Sequence, residues 1–438
     1  MNTQTAIRLS DHIELDTSGS SALFEDLDIK DPMFNDWLSK LRHDIDGKIQ
    51  MLDRGNMAIR HAETIRIVSN SVPGNDADFI FAQNLADTLS ARLRSLGPVE
   101  IVHAGSDGKA QKGKGKDLLL IRMSSALLNQ KWSAQISVYK GGWEPVFLLS
   151  DSFNRSSNFQ SACDQNDVHE FAAKLVNRII LASGLEKKNS LYFSIQNAVT
   201  RLHSFKEGAL DEAAQILDTN IHLDRSGIIS ALSASVLLAR SVEYLDVSPA
   251  LKETMITRAD DALYLGSDHA FVNALVSRVF LNISGEDSKG YELANKAVLL
   301  DPQNPYALNS AAAAQSILGA PKEAQILARK SQKFAKSQPN EFWFDAGFSL
   351  SAASAGDITA ARNAALQSHQ KMRSFRPALR WLVAYSYYER DFKMASEYTR
   401  RLKILEPDFH PSSLLEPSYP VAILRQAGVI DRIGEVLG

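Results

Sequence analysis

Cysteine is almost missing from this chain of 438 residues. Cys163 is the only one, so no disulfide can form within the chain, and a reducing, cytoplasmic setting is the simpler expectation. Its neighbourhood, SACDQND, has no adjacent base or cationic cluster to make the thiol a nucleophile. An excess of positive charge is also missing: 48 Lys and Arg stand against 51 Asp and Glu, a net charge of −3. A chain that gripped nucleic acid through its phosphates would be basic, so direct nucleic-acid binding is not expected. No apolar run reaches the roughly 18 residues that a membrane span needs, so no membrane partner is expected. The opening residues, MNTQTAIRLSDHIELDTS, lack the apolar centre of a signal peptide.

The signatures of chemistry are missing as well. The ten histidines show no H-x-x-x-H spacing, and a lone cysteine cannot make C-x-x-C, so neither metal nor cofactor is expected. There is no G-x-S-x-G and no glycine-rich dinucleotide fingerprint. Asp260 and Asp261 are neighbours in sequence, and adjacent residues on a helix point apart. No catalytic residue is assigned, and the chain is expected not to be an enzyme. GKAQKGKG (108–115) nearly spells a phosphate-binding loop, but Gly115 stands where a Ser or Thr hydroxyl is needed. A strand rather than a helix follows it, so it reads as a loop whose lysines are solvated or touch an anionic partner.

What remains is ordinary globular material, 45% apolar, arranged in three regions and a tail. Residues 1–55 form a polar lead and one amphipathic helix. Asp31-Pro32 starts that helix, and Phe34, Trp37, Leu38, Leu41, Ile45, Ile49 and Leu52 recur on one face. The stripe formed by Phe34, Trp37, Leu38 and Leu41 either docks a partner or packs on the rest of the chain.

Residues 56–186 change period. TIRIVSN (64–70), VEIVH (99–103), DLLLIRMS (117–124), SAQISVY (133–139) and EPVFLLSD (144–151) read as strands. A helix over 79–96 sets Ala82, Leu85, Leu89, Leu93 and Leu96 on one face, and a second runs from Asp167 to Gly184. The order β-α-β-β-β-β-α describes a small α/β sandwich.

Residues 187–412 repeat at a spacing of 34 to 38. Each copy carries a turn, then a small residue, then apolar positions. The small residues are Ala213, Gly290, Ala324, Ala361 and Ala395, where crossing helices need short side chains. Pro302 and Pro407 end the second helices. One copy, near 226–266, is degenerate. The pattern resembles the tetratricopeptide (TPR) repeat, a helical hairpin of about 34 residues. The other reading is an irregular helical array. Residues 413–438 read as capping helices. The fold class is therefore α+β, a small α/β domain followed by an all-α superhelical solenoid.

In TPR proteins the first helix of each hairpin lines the concave groove. Carried over by repeat position, this places Tyr306, Asn309, Trp343, Arg380 and Tyr387 toward a protein partner. Aromatic residues and arginine are common interface anchors, though Trp343 and Tyr387 equally suit packing between repeats.

Taken together, LFEDLDIKDPMFNDWL (23–38), FIFAQNLADTLSARLRSLGPVEIV (79–102), SAQISVYKGGWEPVFLLSDSFN (133–154) and the closing EPDFHPSSLLEPSYPVAILRQAGVID resemble a bacterial regulator family. Its members join a winged-helix DNA-binding domain, a TolB-like α/β domain and a TPR tail. Here the winged helix is absent, and IVSNSVPGNDAD replaces the family's Leu-Pro-Phe and Gly-Asp-Pro strand motif. The resemblance implies a cytoplasmic regulatory protein acting on transcription through a partner, either a DNA-binding regulator or a second copy of itself. Small-molecule sensing by the α/β domain, through a pocket between its sheet and the 79–96 helix, is the rival, and a truncated regulator would have the same sequence.

Overall fold

The computed structural model describes residues 64–70, 76–95, 99–104, 117–128, 131–140, 144–154, 165–183, 190–245, 248–282, 286–336 and 338–437. Residues 62–438 form one unit and residues 1–61 another. The helix carrying Phe34, Trp37, Leu38 and Leu41, the lysine-rich loop 108–115 and Cys163 lie outside the described residues.

Five strands make one sheet in the order β2-β1-β3-β4-β5. They are β1 (Thr64–Asn70), β2 (Glu100–Ala104), β3 (Asp117–Leu128), β4 (Lys131–Tyr139) and β5 (Phe147–Asn154). β1 pairs in parallel with β2 and β3, while β3-β4 and β4-β5 are antiparallel. The parallel pair needs a crossover, and α1 (Asp76–Ser95) provides it.

Alternation decides which face is covered. Along β4, Trp132, Ala134, Ile136 and Val138 are buried while the residues between them are not. Those four meet Ile65, Ile67, Ile121 and Met123 in one core beneath α1 and α2 (Gln165–Ser183). The expected stripe on α1 holds: Ala82, Leu85, Leu89 and Leu93 are all buried. Phe81 joins them, stacked on Trp132 with centroids 5.0 Å apart. Burying side chains of this size contributes about 1.5–3 kcal/mol each.

From residue 191 the chain is helical. Six antiparallel hairpins follow one another: α3 (Leu191–Leu202) with α4 (Ala209–Asn220), α5 (Ile228–Tyr244) with α6 (Pro249–Gly266), and α7 (Ala270–Phe280) with α8 (Asp287–Leu300). Then come α9 (Pro305–Ile317) with α10 (Pro321–Ala335), α11 (Glu341–Ser354) with α12 (Ile358–Lys371), and α13 (Arg376–Tyr388) with α14 (Phe392–Leu405). Each second helix also packs on the first helix of the next hairpin, which makes the array a solenoid. Ala213, Ala324, Ala361 and Ala395 have no exposed surface, as crossing points require.

Local chemistry starts these helices. Asn304 accepts hydrogen bonds from the backbone N–H of Tyr306 and Ala307, and Pro305 opens α9 where its missing N–H costs nothing. Asp357 and Asp391 cap α12 and α14 in the same way. Between hairpins, Ser310 Oγ donates to the carbonyl of Ala274, and within the fourth hairpin Ser331 Oγ donates to that of Pro305. The degenerate copy folds as a regular hairpin, α5-α6. The tail, α15 (Ala422–Gln426) and α16 (Val429–Leu437), packs on α11 and α13.

The α/β layer is bonded to the solenoid. Tyr192 and Phe193 of α3 enter the sheet core. Lys336 pairs with Glu170 at 3.2 Å, and an Arg92 guanidinium nitrogen donates to the carbonyl of Phe334.

Candidate functional site

The solenoid curls until its sixth hairpin meets its second. Arg376 and Arg380 of α13 reach the last carbonyls of α5, more than 130 residues away. Arg376 Nη1 donates to Glu243 O at 2.7 Å, and Arg380 Nη1 to Val242 O at 2.7 Å. Cations suit a helix C-terminus, where carbonyls are left without partners. Phe205, beyond α3, packs on Phe375 with centroids 4.9 Å apart, and Ser374 Oγ donates to Ser204 O.

Inside this ring the first helices enclose a cavity of about 320 Å³. Its walls are mostly apolar, including Leu232, Leu275, Phe375 and Trp381, and Val421 and Ile423 of the tail form part of the lining. Three of the five residues expected in the groove line it: Tyr306, Asn309 and Trp343. Tyr306 packs edge-on against Phe271 and Phe344, and its hydroxyl accepts from Asn340 Nδ2 at 2.5 Å. Burial raises its phenol above the usual range. The Asn309 amide fills the space above Gly347, where a Cβ would stand 1.9 Å from Asn309 Oδ1. Trp343 packs on His203 and Phe375.

Arg380 and Tyr387 are placed otherwise. Arg380 is completely buried and spends its donors inside the protein, on Glu406, Val242 O and Glu243 O, with its charge over the Tyr419 ring. It closes the ring, so the expected partner contact is corrected. Tyr387 is half-buried beside Phe392 and is not in the lining of this cavity.

One lining residue was not anticipated. Arg278, on α7, has an Nε out of contact with solvent and without a hydrogen-bond partner. Burial alone lowers its guanidinium to about 10, with no carboxylate offsetting the effect. A sequence signal existed: it is the only charge in the apolar stretch FVNALVSRVF.

A second cavity, of about 250 Å³, lies where α1 and α2 meet the repeats, lined by Arg92, His169, His203 and Asp301. It faces the side of α1 away from the sheet, so the pocket expected between sheet and helix is not what this space is. Burial holds both histidines down to about 4, and Arg92 adds to the effect at His169. Among the described residues no group of three or more His, Cys, Asp or Glu could hold a metal ion. No described helix is long and apolar enough to cross a membrane.

The outer face differs in chemistry. Arg329, Lys330, Lys333 and Lys336 on α10 and Lys371 on α12 line a groove that continues across α12 past Arg373 to Arg400 and Arg401 on α14. Leu366, Ile404 and Leu405 supply apolar surface along the second half, over the buried Leu379, with Ile404 71% exposed. Glu341, Asp345 and Glu397 are interspersed and pair with Lys371, Arg400 and Arg401.

No family model matches the chain. No curated protein matches it either. Solved structures similar to it include PilW, a widely conserved type IV pilus biogenesis factor, at 15% identity over 46% of this chain and 89% of that one, with a TM-score of 0.34. PilF of Pseudomonas aeruginosa is 16% identical over 52% of this chain and 94% of that one, TM-score 0.32. YrrB, a TPR protein with an unusual peptide-binding site, is 16% identical over 44% and 94%, TM-score 0.28. At such scores the likeness says nothing of function. The expected kinship with winged-helix regulators is corrected here. The similar structures are TPR-repeat proteins, and nothing among them points to a winged-helix regulator or to a TolB-like domain.

Proposed function

We propose that the chain is a protein-interaction scaffold rather than a catalyst, and that its outer groove across α10, α12 and α14 receives an acidic, amphipathic segment of a partner protein. The supporting observation is the groove's composition. Among the described residues Lys330, Lys333 and Arg373 form no ion pair, in a chain of net charge −3, and Arg373 lies beside exposed apolar surface at Ile404. Cations beside apolar surface match a helix with one acidic and one apolar face. Nucleic acid fits this surface less well, because a phosphate backbone leaves the exposed hydrocarbon at Ile404 uncovered, whereas the apolar face of a helix covers it. The DNA-binding partner that the regulator kinship implied is not carried into this proposal.

The test is a titration with a fluorescein-labelled helical peptide of leucine and glutamate, against a single-stranded oligonucleotide of equal charge. Salt-sensitive peptide binding, weakened about tenfold or more by Arg373→Glu with Ile404→Asp, is expected. Equal or tighter oligonucleotide binding, or a peptide affinity indifferent to both substitutions, would overturn the reading.

A further inference from the structure

The outer groove leaves the inner cavity without a role, and the inner cavity holds the least expected group in the molecule. Among the described residues Arg278 enters it with no acceptor at its Nε and no counter-ion. Two carboxyl groups, Asp287 and Glu243, share the lining, but neither is within ion-pair distance of the guanidinium. Glu243 is occupied with Arg376, 3.8 Å away. Asn309 also makes no side-chain hydrogen bond among the described residues, although it is buried against Gly347 at the same wall.

A buried cation without a partner is costly, and buried charges in folded proteins are normally paired. Most of the rest of the lining is hydrocarbon and aromatic, including Leu232, Leu238, Leu275, Trp343, Phe375 and Trp381. A cavity of about 320 Å³ with apolar walls and few polar groups has the size and character of a small-molecule site. Its rim is closed by the Arg376 and Arg380 bonds to α5 and by the tail residues Val421 and Ile423, which suits a compact ligand better than a through-running peptide.

We propose that this cavity binds a small amphiphilic carboxylate, an aliphatic or aromatic monoacid, with its carboxylate on the Arg278 guanidinium and its apolar body against Trp343 and Trp381. Arginine and carboxylate match in geometry and charge. The Asn309 amide supplies a further donor to the head group. The remaining walls offer no second cation, and Asp287 and Glu243 share the lining, so a dicarboxylate binds worse than a monoacid of equal length.

The probes are decanoate, decan-1-ol and decyltrimethylammonium, titrated into the full chain and followed by tryptophan fluorescence, since Trp343 and Trp381 line the site. Decanoate is expected to bind best of the three. Arg278→Met is expected to weaken decanoate by roughly ten- to a hundredfold while leaving decan-1-ol unchanged, the loss of one charge-assisted contact. Arg278→Lys keeps part of the affinity. The ligand-free melting temperature of Arg278→Met stays level or rises, because an unpaired buried charge has been removed. Equal binding of decanoate and decan-1-ol, decanoate affinity unaffected by Arg278→Met, no decanoate binding at all, or a sharp fall in melting temperature would each overturn the proposal. None of these readouts involves the outer groove, so the two sites stand or fall separately.

Discussion

Arg278 and Arg380 rise from inner helices of one solenoid, each with its guanidinium Nε shielded from water although Arg278 is only half-buried as a residue, and they meet opposite surroundings. Arg380 has a carboxylate oxygen of Glu406 at 2.6 Å, two backbone carbonyls and a tyrosine ring. Arg278 has none of these. A cation supplied with acceptors from two distant elements ties those elements together. A cation supplied with none contributes nothing to the fold that a neutral side chain of its size would not. Burial does not separate a structural arginine from a binding one here, but the acceptor set does.

The largest test of that contrast is removal of Arg380. Arg380→Met leaves Val242 O without its donor and the Glu406 carboxylate with only the Tyr419 hydroxyl, and should cost about 3–5 kcal/mol, the usual result of breaking a buried pair from one side. Urea denaturation would measure it. A loss no greater than that of Arg278→Met would erase the distinction between the two arginines.

Acidity sharpens the comparison at intermediate scale, because the two regions respond in opposite directions. In the closure, burial raises the Glu243 carboxyl to about 7, although Arg380 and Arg376 pull it back. The folded state then holds a proton that the unfolded state releases near 4.5, so this contribution is full below 4.5 and lost as pH rises to 7. Beside the cavity, burial lowers His203 to about 4, and its Nδ1–H donates to Val199 O. That contribution is full above 6.5 and lost as pH falls toward 4. Melting temperatures at pH 5 and 8 should therefore diverge for two variants. Glu243→Gln should gain on the parent as pH rises, and His203→Gln should gain as pH falls. Parallel pH profiles for all three proteins would show that neither group titrates as its surroundings require.

The repeat was legible because its causes are local. A small residue where helices cross, a capping Asp or Asn and a terminating proline recur at fixed spacing, and Ala213, Ala324, Ala361 and Ala395 are buried where that spacing put them. The copy over 226–266 hid its regularity because its close approach lies at the far end of its second helix: a Cβ on Gly266 would stand 2.0 Å from Ser226 O. Closure of the ring left no local trace, since Arg380 and Val242 are 138 residues apart and meet only when five hairpins have stacked. Hence Arg380 read as a groove residue from its position in the repeat, although it is the bolt of the closure. Arg278 was legible in principle, as a charge in an otherwise apolar helix. The winged-helix kinship rested on four stretches, one near each end and two in the α/β region, and helix and strand signals of that length can be shared by unrelated chains.

A third arginine tests the smallest effect. The turn between the helices of successive hairpins needs one residue with positive φ, and Gly319 (81°) and Gly356 (78°) provide it. In the sixth hairpin Arg390 occupies the same place at φ 60°. The hydrogen-bond pattern is unchanged, with Asp391 N donating to Ser386 O as Asp357 N does to Ala352 O. The left-handed conformation costs a residue with a Cβ about 1–2 kcal/mol. Glycine removes that strain but gives back roughly 0.5–1 kcal/mol through the freedom of the unfolded chain. Arg390→Gly should therefore stabilise by about 0.5–1 kcal/mol, a rise of about 1–3 °C in melting temperature. Arg390 is exposed, so little packing is lost with its side chain. Gly356→Ala should fall by a similar amount, and if instead both changes lower the melting temperature, the Arg390 side chain holds the turn by a contact that outweighs its backbone strain.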